Sequence, residues 1–190
     1  MRGMIRWLRW FALVCCCAWL GACSTWPGMT QEAPRLRLSP ASLGRDLAVV
    51  QNMEVEIKGR TMSFDAALEV DPTEVRLAVL QLGQTIARLS WNGEQLSMVL
   101  APGWPERVPA EQVLSDLQYV WWPRVRIQAA LPPGWHLVEK PQVRELLHGE
   151  RSVLRVSVLR AGVIELQHRG PGYTLRVHTD GDQPDFVTTP

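Results

Sequence analysis

The most reactive side chains of this sequence are its four cysteines and four histidines, and their spacing indicates one modification and no catalytic centre. The cysteines all lie within the first 23 residues, so the rest of the chain has no thiol for a disulfide, a zinc site or a nucleophile. The histidines form neither an HExxH motif nor an i, i+4 pair, although His168 and His178 fall on adjacent predicted strands. No serine lies in a GxSxG turn.

The charged residues exclude further classes of function. Carboxylate pairs such as Glu54 and Glu56 lie two residues apart on polar strand faces, where solvation accounts for them. Lys+Arg totals 20 and Asp+Glu totals 19, and this balance argues against nucleic acid as the main partner. We therefore expect no enzyme activity and no cofactor or metal. A hydrolase or thioesterase remains the weakest alternative.

The N-terminus has the pattern of a secretory signal. Three arginines accompany an apolar run from Trp10 to Leu20, which at about 11 residues is too short to span a bilayer. Leu20-Gly21-Ala22-Cys23 resembles a bacterial lipobox, which implies a signal peptide over 1–22 and a lipid on Cys23. Ser24, where inner-membrane lipoproteins of this class carry aspartate, implies the outer membrane. An ordinary signal peptide or a short uncleaved anchor is the alternative.

The remaining chain divides into a tether, one domain and a tail. Residues 23–46 are rich in proline and lack a sustained period, which predicts a lipidated N-terminus and flexible tether. Residues 47–179 form the predicted domain, in which apolar and polar residues alternate with the period of half-buried antiparallel strands. We expect residues 180–190 to be disordered.

About nine strands and one helix are predicted within the domain. Asn92-Gly93 favours a two-residue hairpin. Pro109–Val120 has a helical period, with an apolar stripe that includes Val113 and Leu117 and a polar side formed by Glu111, Gln112, Ser115 and Asp116. This pattern predicts a curved antiparallel sheet or incomplete barrel, with the helix packed on its concave side.

Tryptophan is the most informative residue for function. Five tryptophans lie between Trp91 and Trp135, around the predicted helix and its loops. Such side chains suit either the wall of an apolar pocket or a filled core. Because Trp121 and Trp122 are adjacent, we expect one of them near solvent or a cavity mouth. The candidate lining residues of a cavity or lid are Phe64, Trp91, Val113, Leu117, Trp121 and Trp122.

The step Leu82-Gly83 is the second informative position, because it leaves an apolar side chain at the end of a predicted strand. The physics of the turn alone leaves open whether Leu82 is exposed or folded back beneath the turn.

Together these features resemble LolB-like outer-membrane lipoproteins. They resemble more closely a related, uncharacterised bacterial lipoprotein family associated with aryl-polyene biosynthesis clusters. The matching features are the lipobox, the proline-rich tether, the strand ending Leu80-Gln81-Leu82-Gly83, the Pro-started helix and the closing Gly172-Tyr173-Thr174-Leu175. The resemblance implies an unclosed antiparallel β-barrel of about nine to eleven strands with a helical lid over an apolar cavity.

The resemblance also implies a function. In LolB the cavity accepts acyl chains of lipoproteins from the soluble carrier LolA, and a leucine on a loop between strands, matched here by Leu82 and Gly83, assists delivery into the membrane. We therefore expect a protein anchored at the periplasmic face of the outer membrane by Cys23, which binds acyl chains or lipid and receives them from a LolA-like carrier. The alternative is a non-catalytic scaffold lipoprotein of an envelope complex.

Overall fold

The computed structural model of the protein describes residues 31–102, 104, 109–170, 172–180, 182–184 and 186. The expected signal peptide and Cys23 lie outside the described residues. The domain is built from ten antiparallel strands: β1 Leu47–Ile57, β2 Arg60–Val70, β3 Val75–Gln81, β4 Gln84–Trp91, β5 Leu96–Leu100, β6 Trp135–Lys140, β7 Val143–His148, β8 Arg151–Arg160, β9 Val163–His168 and β10 Tyr173–Thr179.

The ten strands form one open sheet made of two meanders. Their order is β5-β4-β3-β2-β1-β10-β9-β8-β7-β6, so each strand lies beside its sequence neighbour except where β1 pairs with β10 at the centre. The alternation seen in the sequence is the burial pattern of these strands; Phe64, Ala66, Leu68 and Val70 of β2 are all buried. The predicted mainly-β, unclosed antiparallel fold is therefore confirmed.

Two helices connect the outer strands β5 and β6. Helix α1 spans Ala110–Trp121, close to its predicted bounds, and helix α2 spans Arg124–Ala130, which the sequence analysis did not predict. Pro123 separates them, because a proline disfavours helical geometry in the preceding residue and Trp122 is accordingly extended. Helix α2 contacts the edge strand β6, where the Gln128 side chain accepts the N–H of Leu137 and donates to the carbonyl of Trp135.

Within the expected flexible tether over residues 23–46, part of the described chain is packed. Residues 33–43, which we call the N-terminal strap, pack on the domain with Ala33, Leu36 and Leu43 buried. The strap includes a short 3₁₀ helix, Pro40–Leu43, and otherwise runs without regular structure. It lacks a sequence period because it pairs with no strand, and side chains of α1 and of Trp91 satisfy its backbone groups instead.

Tight turns join most of the strands. Lys58-Gly59 and Leu82-Gly83 form two-residue turns in which all four residues have positive φ, as type I′ geometry requires. The predicted hairpin at Asn92-Gly93 exists, but it has four residues between strands and not two. The side chain of Asn92 accounts for the longer turn, since it accepts the backbone N–H groups of Glu94 and Gln95.

The described part of the expected C-terminal tail also contacts the domain. Asp182 pairs with Arg45 at 2.9 Å, and the buried ring of Phe186 lies 4.6 Å from the guanidinium carbon of Arg144. The apolar Phe186 explains the difference from expectation, since burying an aromatic ring offsets the ordering of a short polar segment. In the described part of the chain, no helix is long and apolar enough to cross a membrane.

Candidate functional site

Helix α1 is buried on two sides, and its two buried stripes have the same spacing. Val113, Asp116, Leu117 and Val120 line cavities against the sheet, whereas Ser115, Gln118, Tyr119 and Trp122 contact the strap. Both sets follow the i, i+3, i+4, i+7 pattern of one helix face. The expected polar side of the helix is therefore not a solvated face: Gln112, Ser115 and Asp116 are all buried.

Two small cavities lie between α1 and the sheet. Their volumes are about 30 and 40 Å³, and Met53, Val113, Asp116 and Leu175 line both. The remaining lining is mostly aliphatic and aromatic, contributed by strands on both sides of the β1–β10 junction. Since a water molecule needs roughly 10–15 Å³ of such volume, each cavity has room for a few waters at most. The arrangement is an apolar interior that α1 closes.

Asp116 is the one charged residue among those lining the two cavities. Its carboxylate lies 2.8 Å from Nε2 of His168 and receives hydrogen bonds from the Tyr173 hydroxyl at 2.6 Å and the Gln112 side-chain amide at 2.9 Å. All four side chains are buried, and the His168 and Tyr173 rings stack at 4.4 Å. Because a carboxylate only accepts, we assign the proton to Nε2 of His168. This network fastens the middle of α1 to β9 and β10.

Burial and the nearby carboxylate both favour the neutral form of the phenols beside this network. Desolvation is the larger cause and the charge of Asp116 the next, and together they raise the pKa of Tyr173 far above its ordinary value. The same two causes raise the pKa of Tyr119, whose hydroxyl donates to the carbonyl of Pro34. Both tyrosines therefore act as hydrogen-bond donors at any physiological pH.

The opposite side of α1 is fastened to the strap by hydrogen bonds. Ser115 Oγ accepts the N–H of Leu36 at 3.0 Å, and the Gln118 amide both accepts from and donates to the backbone of Leu38. The indole N–H of Trp122 donates to Ser42 Oγ at 2.9 Å. These bonds satisfy strap backbone groups that burial would otherwise leave unpaired.

The C-terminal end of α1 is held by a buried arginine. The Arg144 guanidinium donates to the carbonyls of Tyr119 at 2.6 Å and Trp122 at 2.9 Å, and it also pairs with Glu139. Carbonyls of the last helical turn have no partner within the helix, and a cation there also interacts favourably with the helix dipole. Arg144, on β7, therefore fixes where the helix ends over the sheet.

The structure divides the six candidate cavity residues into two groups. Phe64, Val113, Leu117 and Trp121 line the cavities. Trp91 and Trp122 instead donate their indole N–H groups to the strap. Trp91 donates to the carbonyl of Leu38, and Trp122 donates to the carbonyl of Ser39 and to Oγ of Ser42. Both Trp121 and Trp122 are buried, because α1 ends between them and the strap covers Trp122. Neither therefore reaches solvent, but Trp121 lines a cavity.

Leu82 lies at the tip of the β3–β4 hairpin and is 99% exposed. Its φ of 50° places a branched apolar residue in the left-handed region, where Asn, Asp or Gly is usual. Gly83 follows with φ 77°, so the two residues form the whole turn. The turn thus holds a leucine away from the protein in a conformation that its side chain disfavours.

No other described feature forms a comparable site. His168 and His178 do not face each other, because the β9–β10 register pairs them with Tyr173 and Val163 at opposite ends of the hairpin. Among the described residues, no group of three or more His, Cys, Asp or Glu side chains could hold a metal ion. A larger cleft of about 390 Å³ on the outer side of β2–β5 includes Arg76, Arg88 and Val99, but it is open to solvent.

Sequence reasoning missed the Asp116 network and the strap. Asp116, His168 and Tyr173 are separated by 52 and 57 residues, and no local spacing relates them. A signal for the strap did exist in α1 itself: Ser115, Gln118, Tyr119 and Trp122 repeat at helical spacing, which is typical of a second buried face.

Comparison with known proteins identifies the family of this chain. A search of curated proteins gave no match. The family model described as "Protein of unknown function (DUF3261)" matches residues 48–181, which include all ten strands but for the first residue of β1, and both helices. Because the match covers well over half of the chain, the protein belongs to the DUF3261 family.

Proposed function

We propose that this protein is a lipid-anchored, LolB-like acceptor at the periplasmic face of the outer membrane, which binds acyl chains or lipid beneath α1 and passes them to the membrane. The cargo is an acylated protein or a lipid such as an aryl polyene, delivered by a LolA-like carrier. In this proposal the protein performs no covalent chemistry, and it needs no cofactor.

The exposed Leu82 is the observation that carries the proposal. A fully exposed leucine at positive φ lowers stability for two reasons, because its apolar side chain contacts water and because its backbone is strained. A functional reason for the residue is therefore expected. A leucine on a rigid hairpin tip can enter the apolar part of a bilayer without any change in the fold. It would then offer a released acyl chain a first contact with the membrane.

The cavities beneath α1 support the cargo half of the proposal. Their apolar lining suits an acyl chain, for which each buried methylene contributes about 0.8 kcal/mol. Their present volumes are too small for such a chain, so α1 must move away from the sheet when cargo binds. The membrane interior is equally apolar, and release into it therefore needs no external energy source.

The short N-terminal connection supports the membrane half. Nine residues separate Cys23 from Ala33, the first buried residue of the strap, and the ten Cα–Cα steps between them reach at most about 35 Å. A lipid on Cys23 would thus keep the domain close enough to the bilayer for Leu82 to touch it.

A transfer assay with Leu82→Glu tests the proposal. We expect delivery of a fluorescent acylated cargo to vesicles to fall at least about tenfold, since the carboxylate resists entering the bilayer. Val50→Glu is the matched control, because Val50 is also an exposed apolar residue (72%) but lies within β1. Equal transfer by wild type and Leu82→Glu would refute the proposed role of Leu82.

Cell fractionation tests the anchor separately. Cys23→Ala should leave the outer-membrane fraction, whereas Cys17→Ala, within the apolar run, should remain in it. Retention of Cys23→Ala in that fraction would contradict lipidation as the means of attachment.

The scaffold alternative also has an observation in its favour, namely the small volume of the cavities. If α1 never opens, the interior is a packed core and the protein acts only through its surface. Uptake of the apolar probe N-phenylnaphthylamine distinguishes the two functions. We expect wild type to bind the probe and Val113→Trp, which fills both cavities, to lose binding; a wild type that binds none would favour the scaffold.

A further inference from the structure

The turn that carries Leu82 shares one end of the sheet with three other turns. In an antiparallel sheet every second connection lies at the same end. The turns after β1, β3, β7 and β9 therefore form one row, in the spatial order given by the strand order. We call this row the turn rim; it comprises residues 58–60, 82–83, 149–151, 169, 170 and 172.

The turn rim is basic. It carries four cationic side chains, Lys58, Arg60, Arg151 and Arg169, against one described carboxylate, Glu150. All four of these side chains are exposed. Among the described residues none of the four forms a salt bridge, in contrast to Arg76 elsewhere, which contacts three carboxylates.

The opposite end of the sheet has a different charge. Its turns and strand ends hold Asp71, Glu74, Glu94 and Asp180 together with the cations Lys140 and Arg160. Of the two ends, only the one that presents Leu82 is therefore net positive, although the whole chain is close to neutral.

We propose that the turn rim is a docking surface for a bilayer rich in anionic lipid, with Leu82 inserted and the flanking cations on lipid phosphates. This inference rests on the proposed membrane role of Leu82 and adds the lipid class and the orientation. The strands then stand with their rim end on the bilayer, and α1 joins the sheet through chain that leaves and returns at that same end.

The two features of the rim complement each other physically. Cations attract the protein to an anionic surface over about one Debye length, but they carry no apolar surface into it. One leucine buries too little apolar area to hold a protein on a bilayer by itself. Together they provide two signals, which is the usual requirement for stable peripheral binding.

Vesicle co-sedimentation tests the proposal, with the full chain carrying Cys23→Ser so that no lipid anchor contributes. One set of vesicles is phosphatidylcholine alone, and in the other about a third is phosphatidylglycerol. We expect the Cys23→Ser protein, with its turn rim unchanged, to bind the anionic vesicles at least about tenfold more tightly than the phosphatidylcholine vesicles and to lose this preference at high salt.

Matched double variants assign the preference to the rim. Arg60→Gln with Arg169→Gln should weaken binding to anionic vesicles at least about tenfold, since each cation contributes about fivefold. Lys140→Gln with Arg160→Gln removes the same charge from the opposite end and should change binding less than about twofold. All four side chains are exposed, so these proteins should fold normally.

The outcomes separate this inference from the proposed function. Equal binding to both kinds of vesicle, or equal weakening by both double variants, would overturn the docking surface while leaving Leu82 insertion intact. Binding that depends on the rim cations but is unchanged in Leu82→Glu would overturn the role of Leu82 and the proposed function with it.

Discussion

The two buried faces of α1 differ in how they are held. The face toward the strap is joined to it by hydrogen bonds from Ser115, Gln118, Tyr119 and Trp122. The face toward the sheet adjoins two cavities and is fastened there by the Asp116 network. The helix is therefore more continuously attached to the strap than to the sheet.

This difference indicates how an opening would occur. Apolar contacts beside a cavity are lost at modest cost, because the cavity lining already lacks partners on one side. Hydrogen bonds to buried backbone groups cost more to break, since both partners are left unpaired. We expect α1 and the strap to move together as one unit, which requires the Asp116 network, the Arg144 bonds to the end of α1 and the Trp91–Leu38 bond to break.

The largest effect is expected on the strap side. Trp122→Ala removes a fully buried indole and leaves a cavity beneath the strap, so the free energy of unfolding should fall by about 3–5 kcal/mol. Chemical denaturation measures this loss, with the half-buried Trp135→Ala as control. An equal loss in both variants would mean that the strap contributes no special stability.

A smaller loss, with a gain in ligand uptake, is expected on the sheet side. Asp116→Ala leaves the hydroxyl of Tyr173 and the ring of His168 without their acceptor and should cost about 2–4 kcal/mol. Because the network also fastens α1, N-phenylnaphthylamine uptake should rise. Glu111→Ala, in the first turn of the same helix, should change neither quantity appreciably. Unchanged uptake in a folded Asp116→Ala would contradict the expected role of the network in holding α1 against the sheet.

The raised pKa of Tyr173 predicts how stability changes at alkaline pH. The unfolded chain ionises its tyrosines near pH 10, before the folded protein does, so the stabilisation is complete below about pH 10 and is lost as pH rises above it. The loss per tyrosine is at most about 1.4 kcal/mol per pH unit. Denaturant titrations of wild type and Tyr173→Phe should show a shallower decline for the variant. Identical slopes would indicate that Tyr173 ionises equally easily in both states.

The smallest effect is expected from Ser42→Ala. The indole N–H of Trp122 keeps its second acceptor, the carbonyl of Ser39 at 3.3 Å, so the loss should be only about 0.5 kcal/mol. A thermal melt with Ser115→Ala alongside would sharpen the comparison, because Ser115 Oγ accepts the buried N–H of Leu36. A larger loss in Ser42→Ala would mean that Ser39 does not compensate.

The strands, α1 and the place of Leu82 in a turn could be expected from the sequence because each depends on local pattern, whereas the exposure of Leu82 was left open and is decided by the structure. Alternation over Thr61–Val70 reports which side chains face the core, and Leu82-Gly83 marks a turn. The packed strap within the expected tether could not be predicted, for a complementary reason. The strap follows no repeat of its own, and its backbone hydrogen-bonding partners are distant side chains, chiefly those of α1 about 80 residues away together with Trp91 of β4.

The sequence by itself determined the mainly-β sheet, the helix between its two halves, the leucine at a hairpin tip and the absence of cysteine beyond residue 23. Only the tertiary structure decided that Asp116, His168 and Tyr173 meet, that α1 is buried on two sides, and that the cationic turns share one end with Leu82. The physical reason is the separation along the chain between the residues that interact. Period and turn chemistry act between neighbours along the chain, whereas a buried carboxylate network and a row of turns arise only when the pairing of β1 with β10 joins the two meanders into one sheet.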